Sequence, residues 1–142
     1  MKLVLLISAV VSVTKGGELF WGDATEITDI GLFSLQCQQD GKFLTAGQSG
    51  MLMRQEWFDS PNQKFFFKSS QKNNEVFWKL SPIDGSKDIA DYYKITDVGH
   101  GKYHLKSLSS GKCLQAQGRN AVGESECITD EPTQRWFAAL AT

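Results

Sequence analysis

The sequence predicts an all-β chain, a barrel or a sandwich, and three observations carry that expectation. Short runs of Phe, Leu, Val, Tyr and Trp alternate with polar residues, so side chains of one kind fall on one face of a strand. Turn signals recur at Asp40-Gly41, Asp84-Gly85, Gly99 to Gly101 and Ser110-Gly111. The chain also repeats itself, with the first half falling on the second at a spacing of 70 residues. A length of 142 residues suits one domain. A core of that size buries roughly two-thirds of the unfolded surface, so the fold needs no metal.

Taken in order, the N-terminus reads as a targeting segment. Lys2 supplies a positive start, and "LVLLISAVVSV", Leu3 to Val13, is mostly apolar. Ser12, Thr14, Gly16 and Gly17 close and follow it. The run is shorter than the ~20 residues that span a bilayer, and it matches the apolar core of a secretory signal. The alternative is a buried N-terminal strand, because β-branched residues are frequent there. Residues 1–16 are therefore expected to be a signal peptide, 17–26 a lead-in and 27–140 the folded domain of a secreted protein. No later apolar stretch is long enough to anchor the chain in a membrane. Secretion permits disulfides, and three cysteines allow one bond and leave one odd thiol. No Asn-x-Ser/Thr sequon is present.

The strands follow. "GLFSLQC" sets Phe33, Leu35 and Cys37 on one face, "EVFWKLS" is aromatic and β-branched, and "KYHLKSL" sets Tyr103 and Leu105 on one face. "SKDIADYY" is the one stretch with a hint of helix, and it is too short to change the class. In the repeat, Phe33 falls on Tyr103, Leu35 on Leu105, Gly41-Lys42 on Gly111-Lys112, Leu44 on Leu114 and Ala46 on Ala116. After a one-residue insertion Gln63 falls on Gln134 and Phe65 on Trp136. A weaker middle copy runs from Phe65 to Ser81, matched to Tyr93 to Ser107. Its closing part is compressed into "PIDGSKDIADYY", with Asp91-Tyr92-Tyr93 in the place of Gln-x-aromatic.

Gly-Lys-Cys-Leu opening a hairpin at Gly111 and Gln-x-Trp closing it at Trp136, with degenerate copies before, resemble the ricin B-type lectin family. The resemblance covers Ile27 to Ala139 and is strongest in the third copy. It implies a β-trefoil of three degenerate repeats, the second compressed: a six-stranded barrel closed at one end by three hairpins. Phe65, Tyr93 and Trp136 would be the three core aromatics. It further implies a disulfide between Cys113 and Cys127, closing a loop of about 15 residues and contributing ~3 kcal/mol. The same positions in the first copy are read as Phe43 and Glu56. Cys37 has no family counterpart; it reads as a small buried thiol, or more sharply as the site of an intermolecular disulfide.

The resemblance also implies a shallow sugar pocket on a copy. An Asp would accept from paired hydroxyls, an aromatic would cover the apolar face of the ring, and Asn-Gln would precede the final aromatic. The third copy departs from this pattern, with Gln115 at the Asp position, Ser125 at the platform and Thr133 at the Asn position. Gln134 remains, either as a ligand or as a brace for the hairpin. Gln115, Gln117, Asn120 and Asp130 are candidates for a polar pocket beside it; the plain alternative is a solvated loop. The first copy keeps Asn62-Gln63, but has Thr45 at the Asp position and Arg54 at the platform, with Trp57 as a displaced platform or an ordinary packed aromatic. The expected ligand is therefore a glycan bound weakly, at about 4 kcal/mol or millimolar per site, and helped by multivalency. Loss of the family's Asp and platform equally suits a protein-binding trefoil, such as a protease inhibitor or cytokine-like factor.

Other classes fare worse. A net charge of −1 with no run of like charge argues against nucleic acid and anionic membrane as partners. No His-Glu-x-x-His, P-loop or Gly-x-Ser-x-Gly pattern occurs. His100 and His104, four apart on a strand, would lie about 13 Å from each other, too far to share a metal. A pairing of Cys37 with either histidine as a nucleophile is disfavoured because Cys37 reads as buried. No enzyme activity, cofactor or metal is expected.

Overall fold

The computed structural model describes residues 12–13, 19–20, 32–84 and 87–141. The expected signal segment and lead-in therefore lie largely outside the described residues. Two short strands fall within them: β1 (Ser12–Val13) pairs antiparallel with β2 (Leu19–Phe20). Among the described residues no helix is long and apolar enough to cross a membrane.

The remaining described residues form an all-β fold with short 3-10 turns. Ten strands follow: β3 (Leu32–Cys37), β4 (Phe43–Ala46), β5 (Leu52–Gln55), β6 (Phe65–Lys72), β7 (Glu75–Pro82), β8 (Tyr92–Gly99), β9 (Lys102–Ser107), β10 (Cys113–Gln117), β11 (Ala121–Ser125) and β12 (Trp136–Ala141). Six of them close a ring of antiparallel pairings. β3 pairs β6, β6 pairs β7, β7 pairs β8, β8 pairs β9, β9 pairs β12, and β12 returns to β3. Closure removes the sheet edges that would otherwise invite aggregation. Two hairpins, β4–β5 and β10–β11, are appended to this barrel and meet each other at Ala121 and Met53. Among the described residues no strand lies between β7 and β8, where the compressed segment was expected.

Period-two alternation fills the barrel. Phe33, Leu35 and Cys37 of β3, Trp78 and Leu80 of β7, and Tyr103 and Leu105 of β9 all point inward and are buried. The three expected core aromatics sit opposite them, Phe65 on Phe33, Tyr93 on Trp78 and Trp136 on Tyr103, each almost fully buried. The register also corrects the alignment of the middle copy. Phe65 pairs with Pro82, as Tyr93 pairs with Ser107 and Trp136 with Cys37. Pro82, not Ser81, is thus the counterpart of Ser107, because inward-facing residues keep strict alternation through Trp78 and Leu80. Cys37 is a free, fully buried thiol, and burial pushes its pKa up.

The turns obey the same logic in both strong copies. Gly41 and Gly111 have φ of 75° and 74°, a left-handed conformation that costs glycine nothing. Asp40 Oδ1 accepts from the Lys42 amide at 3.0 Å, and Ser110 Oγ accepts from the Lys112 amide at 3.1 Å.

Candidate functional site

The two hairpins are braced by buried glutamines. Gln63 Nε2 donates to the Glu56 carbonyl (2.7 Å) and to Thr45 Oγ1 (3.2 Å), and its Oε1 accepts from the Phe58 amide (2.9 Å). Gln134 repeats the arrangement. Its Nε2 donates to the Glu126 carbonyl (2.7 Å) and to Gln115 Oε1 (3.0 Å), and its Oε1 accepts from the Ile128 amide (2.8 Å). Both side chains are wholly buried with their donors satisfied inside the fold. Each ends a proline-led 3-10 turn, Pro61–Gln63 and Pro132–Gln134, which delivers the amide inward.

This geometry fixes the equivalence of the copies. Glu56 matches Glu126 and Phe58 matches Ile128, so the 70-residue spacing holds past the hairpin and the inserted residue lies in the following loop. The ladders agree, since Phe43 pairs with Gln55 as Cys113 pairs with Ser125. Cys113 and Cys127 form the expected disulfide. Its first-copy counterpart is Phe43 with Trp57, not Phe43 with Glu56. The two rings meet there with centroids 4.7 Å apart, an aromatic contact in place of a covalent one. By the same register Arg54 matches Glu124, and Gln55, rather than Arg54, matches Ser125.

The remaining sequence candidates are spread out. Gln117 and Asn120 flank the β10–β11 turn, which the first copy grips. Arg54, buried in β5, donates to the carbonyls of Gln117 (3.1 Å), Gly118 (2.7 Å) and Ala121, and to Asp40 Oδ2 (2.9 Å). Lys42 Nζ donates to the Arg119 carbonyl (2.8 Å) and Asn120 Oδ1 (3.1 Å). Asp40 is partly buried, which alone would raise its pKa, but the Lys42 amide and the Arg54 guanidinium outweigh burial and hold it below the usual carboxylate range. The Asp130 side chain is 97% exposed and only 3.9 Å from Arg135 Nη1. Asn62 donates to the Ala46 carbonyl (3.1 Å) and accepts from Ser60 Oγ (2.6 Å). Of the third-copy candidates, the structure brings only Gln115 and Gln134 into hydrogen-bonding contact.

Of the candidates, Trp57 lines an open cleft. The cleft, about 590 Å³, runs along the outer face of β3 and β12 beside the loop after β5. Residues that alternate outward build its floor: Ser34 and Gln36 from β3, and Phe137 and Ala139 from β12, paired as Phe137 with Gln36 and Ala139 with Ser34. Phe43, Trp57, Asp59 and Leu140 complete it. Trp57 and Phe137 are each 40% exposed, so aromatic surface is presented on two sides. Asp59 is held at 2.8 Å by Lys64, whose ammonium lies 6.0 Å from the Trp57 ring. Sequence reasoning missed Gln36, Asp59 and Phe137. The alternation of β3 and β12 marks Gln36 and Phe137 as outward-facing, but only closure of the barrel sets these strands side by side.

No protein-family model matches the chain. No curated protein sequence matches it either. Solved structures do, and they share its fold. ThreeFoil, a designed threefold-symmetric protein, is similar at a TM-score of 0.61 and 18% identity, over 76% of this chain and 97% of that one. SeviL, solved with the asialo-GM1 saccharide, is similar at 0.59 and 15%, over 79% of this chain and 98% of that one. A mosquitocidal holotoxin is similar at 0.58 and 16%, over 79% of this chain but 17% of that one. With the ring of six strands, these likenesses define the chain as a β-trefoil-like all-β protein.

Proposed function

We propose that this chain is a secreted, non-catalytic carbohydrate-binding module of the ricin B-type. In this reading it is a β-trefoil of three degenerate repeats whose second has lost its hairpin. The three opposed pairs Phe33–Phe65, Trp78–Tyr93 and Tyr103–Trp136 support the threefold reading. The apolar N-terminal run and the Cys113–Cys127 bond fit an oxidising compartment.

The observation that carries the glycan reading is the cleft between Trp57 and Phe137. Aromatic faces cover the apolar side of a pyranose, while Asp59, Gln36 and Ser34 offer acceptors and donors to hydroxyls. SeviL, of similar fold, is a saccharide-bound protein, which supports the class without supplying the sugar. The cleft is open and its polar groups are few, so affinity near millimolar per site, about 4 kcal/mol, is expected. A glycan array run at high concentration of the multivalently displayed protein tests this. Binding that W57A and F137A each weaken tenfold or more, about 1.4 kcal/mol, is expected; silence across the array would sink the sugar reading.

One observation favours a protein partner as the second reading. Phe58, beside Trp57, is 66% exposed and Leu140 of the cleft 45%, an apolar surface that suits a protein contact. Capture of a stoichiometric protein partner that W57A releases, with no glycan signal, would select it.

A further inference from the structure

His104 on β9 is buried, with 6% of its surface exposed, and its Nε2 is the buried side-chain polar atom that lacks a hydrogen-bond partner among the described residues. Native folds rarely leave such an atom unpaired, because its lost hydration is then uncompensated. Two sulfurs lie close to the ring. An imidazole nitrogen of His104 and the sulfurs of Cys113 and Cys127 all lie within 4.8 Å of one another. The Ile128 backbone is hydrogen-bonded to the imidazole. With Nδ1–H donated to that carbonyl, the lone pair of Nε2 is free, the arrangement in which metal-binding histidines are usually oriented.

We propose that reduction of the Cys113–Cys127 bond converts this cluster into a zinc site with ligands His104 Nε2, Cys113 Sγ and Cys127 Sγ. The ligand types suit the metal, since zinc takes thiolate and imidazole in tetrahedral sites. Ligand atoms in such a site stand about 3.3–3.8 Å apart. The scaffold is firm, because β9 and β10 are paired at Lys106 and Cys113. Cys113 is wholly buried while Cys127 is exposed, so attacking thiol and incoming metal both reach the cluster from the Cys127 side, where solvent supplies the fourth ligand.

The chemistry balances. A dithiol reductant gives up two electrons and two protons, becomes a disulfide, and leaves two cysteine thiols. Zinc binding then displaces both thiol protons, and two thiolates neutralise the dication. None of the three residues lines the aromatic cleft, so this site stands apart from the glycan reading.

The test uses cobalt(II) as a spectroscopic probe, in the full chain carrying C37S so that two thiols remain. The anaerobically reduced protein should bind one cobalt with sulfur-to-metal charge-transfer absorption and tetrahedral visible bands, both abolished by added zinc. The oxidised protein should show neither. H104Q, confirmed by circular dichroism to fold when oxidised, should weaken cobalt binding at least about tenfold. Absence of charge transfer after reduction, or equal affinity in H104Q, overturns the proposal. If reduction unfolds the chain, zinc should restore its β-sheet spectrum, and failure to do so overturns it equally.

Discussion

At the scale of single residues, the clearest lesson comes from Gln63 and Gln134. Each is a polar side chain at a fully buried position, and each satisfies three backbone or side-chain groups of its own copy. Replacing Gln134 by leucine removes the amide but leaves the Glu126 carbonyl and the Ile128 amide unpaired. A loss of about 2–4 kcal/mol is expected from two such groups, and urea denaturation measures it; a loss below 0.5 kcal/mol or so would contradict the brace. Arg54 acts similarly between copies. R54A should destabilise by up to about 3 kcal/mol, since its partner Asp40 keeps some solvent contact that screens the pair. K42A, at an exposed position, should cost under about 1 kcal/mol. Gln-x-aromatic motifs and Asn62-Gln63 were visible in the sequence, but whether an amide faces ligand or core depends on burial, which the residue type leaves open.

At the scale of elements, the two hairpins solve one problem with different chemistry. The base of β10–β11 is closed by Cys113–Cys127, and the base of β4–β5 by Phe43 against Trp57. The disulfide acts mainly on the unfolded chain, whereas the ring contact acts only on the folded one. The C113S/C127S pair should therefore lower stability by ~3 kcal/mol. Thermal denaturation with and without reductant checks it, and a Tm insensitive to reductant would contradict it. The strands and their turns were legible because alternation and Asp-Gly or Ser-Gly signals are local. The position of the inserted residue was not. A one-residue offset within "RQEWFDSP" leaves the apolar pattern intact, and only the β-ladder and the glutamine contacts decide that Trp57, not Glu56, answers Cys127.

For the whole molecule, closure of the six-strand ring couples distant segments, and acid should loosen it. Asp88 accepts from Ser81 Oγ at 2.7 Å and pairs with Lys68 at 3.2 Å; these hold its pKa below the ordinary 3.8 against partial burial. Asp40 is lowered in the same sense by its Lys42 and Arg54 contacts. A carboxyl depressed on folding stabilises above its unfolded pKa, and that contribution disappears as pH falls through the folded value. Urea midpoints should therefore be flat from pH 7 to about 5 and fall below pH 4. D40N with D88N should flatten that fall, and an unchanged slope would contradict the assignment. Burial of Cys37 works at the other end, since raising its pKa favours the unfolded thiolate above pH 9.

The sequence by itself determined the all-β class, the inward set Phe33, Leu35, Tyr103, Leu105 and Trp136, and the partnership of Cys113 with Cys127 through its resemblance. These follow from period-two alternation, turn chemistry and short-range motifs, all written in neighbouring residues. Only the tertiary structure decided where aromatic surface stays open and which polar groups line it. Phe137 and Gln36 lie 101 positions apart and face one another solely because β12 returns to β3. His104 meets the two cysteine sulfurs because β9 and β10 pair and the chain after β11 folds back. Both are products of barrel closure, a long-range condition that no local pattern in the chain encodes.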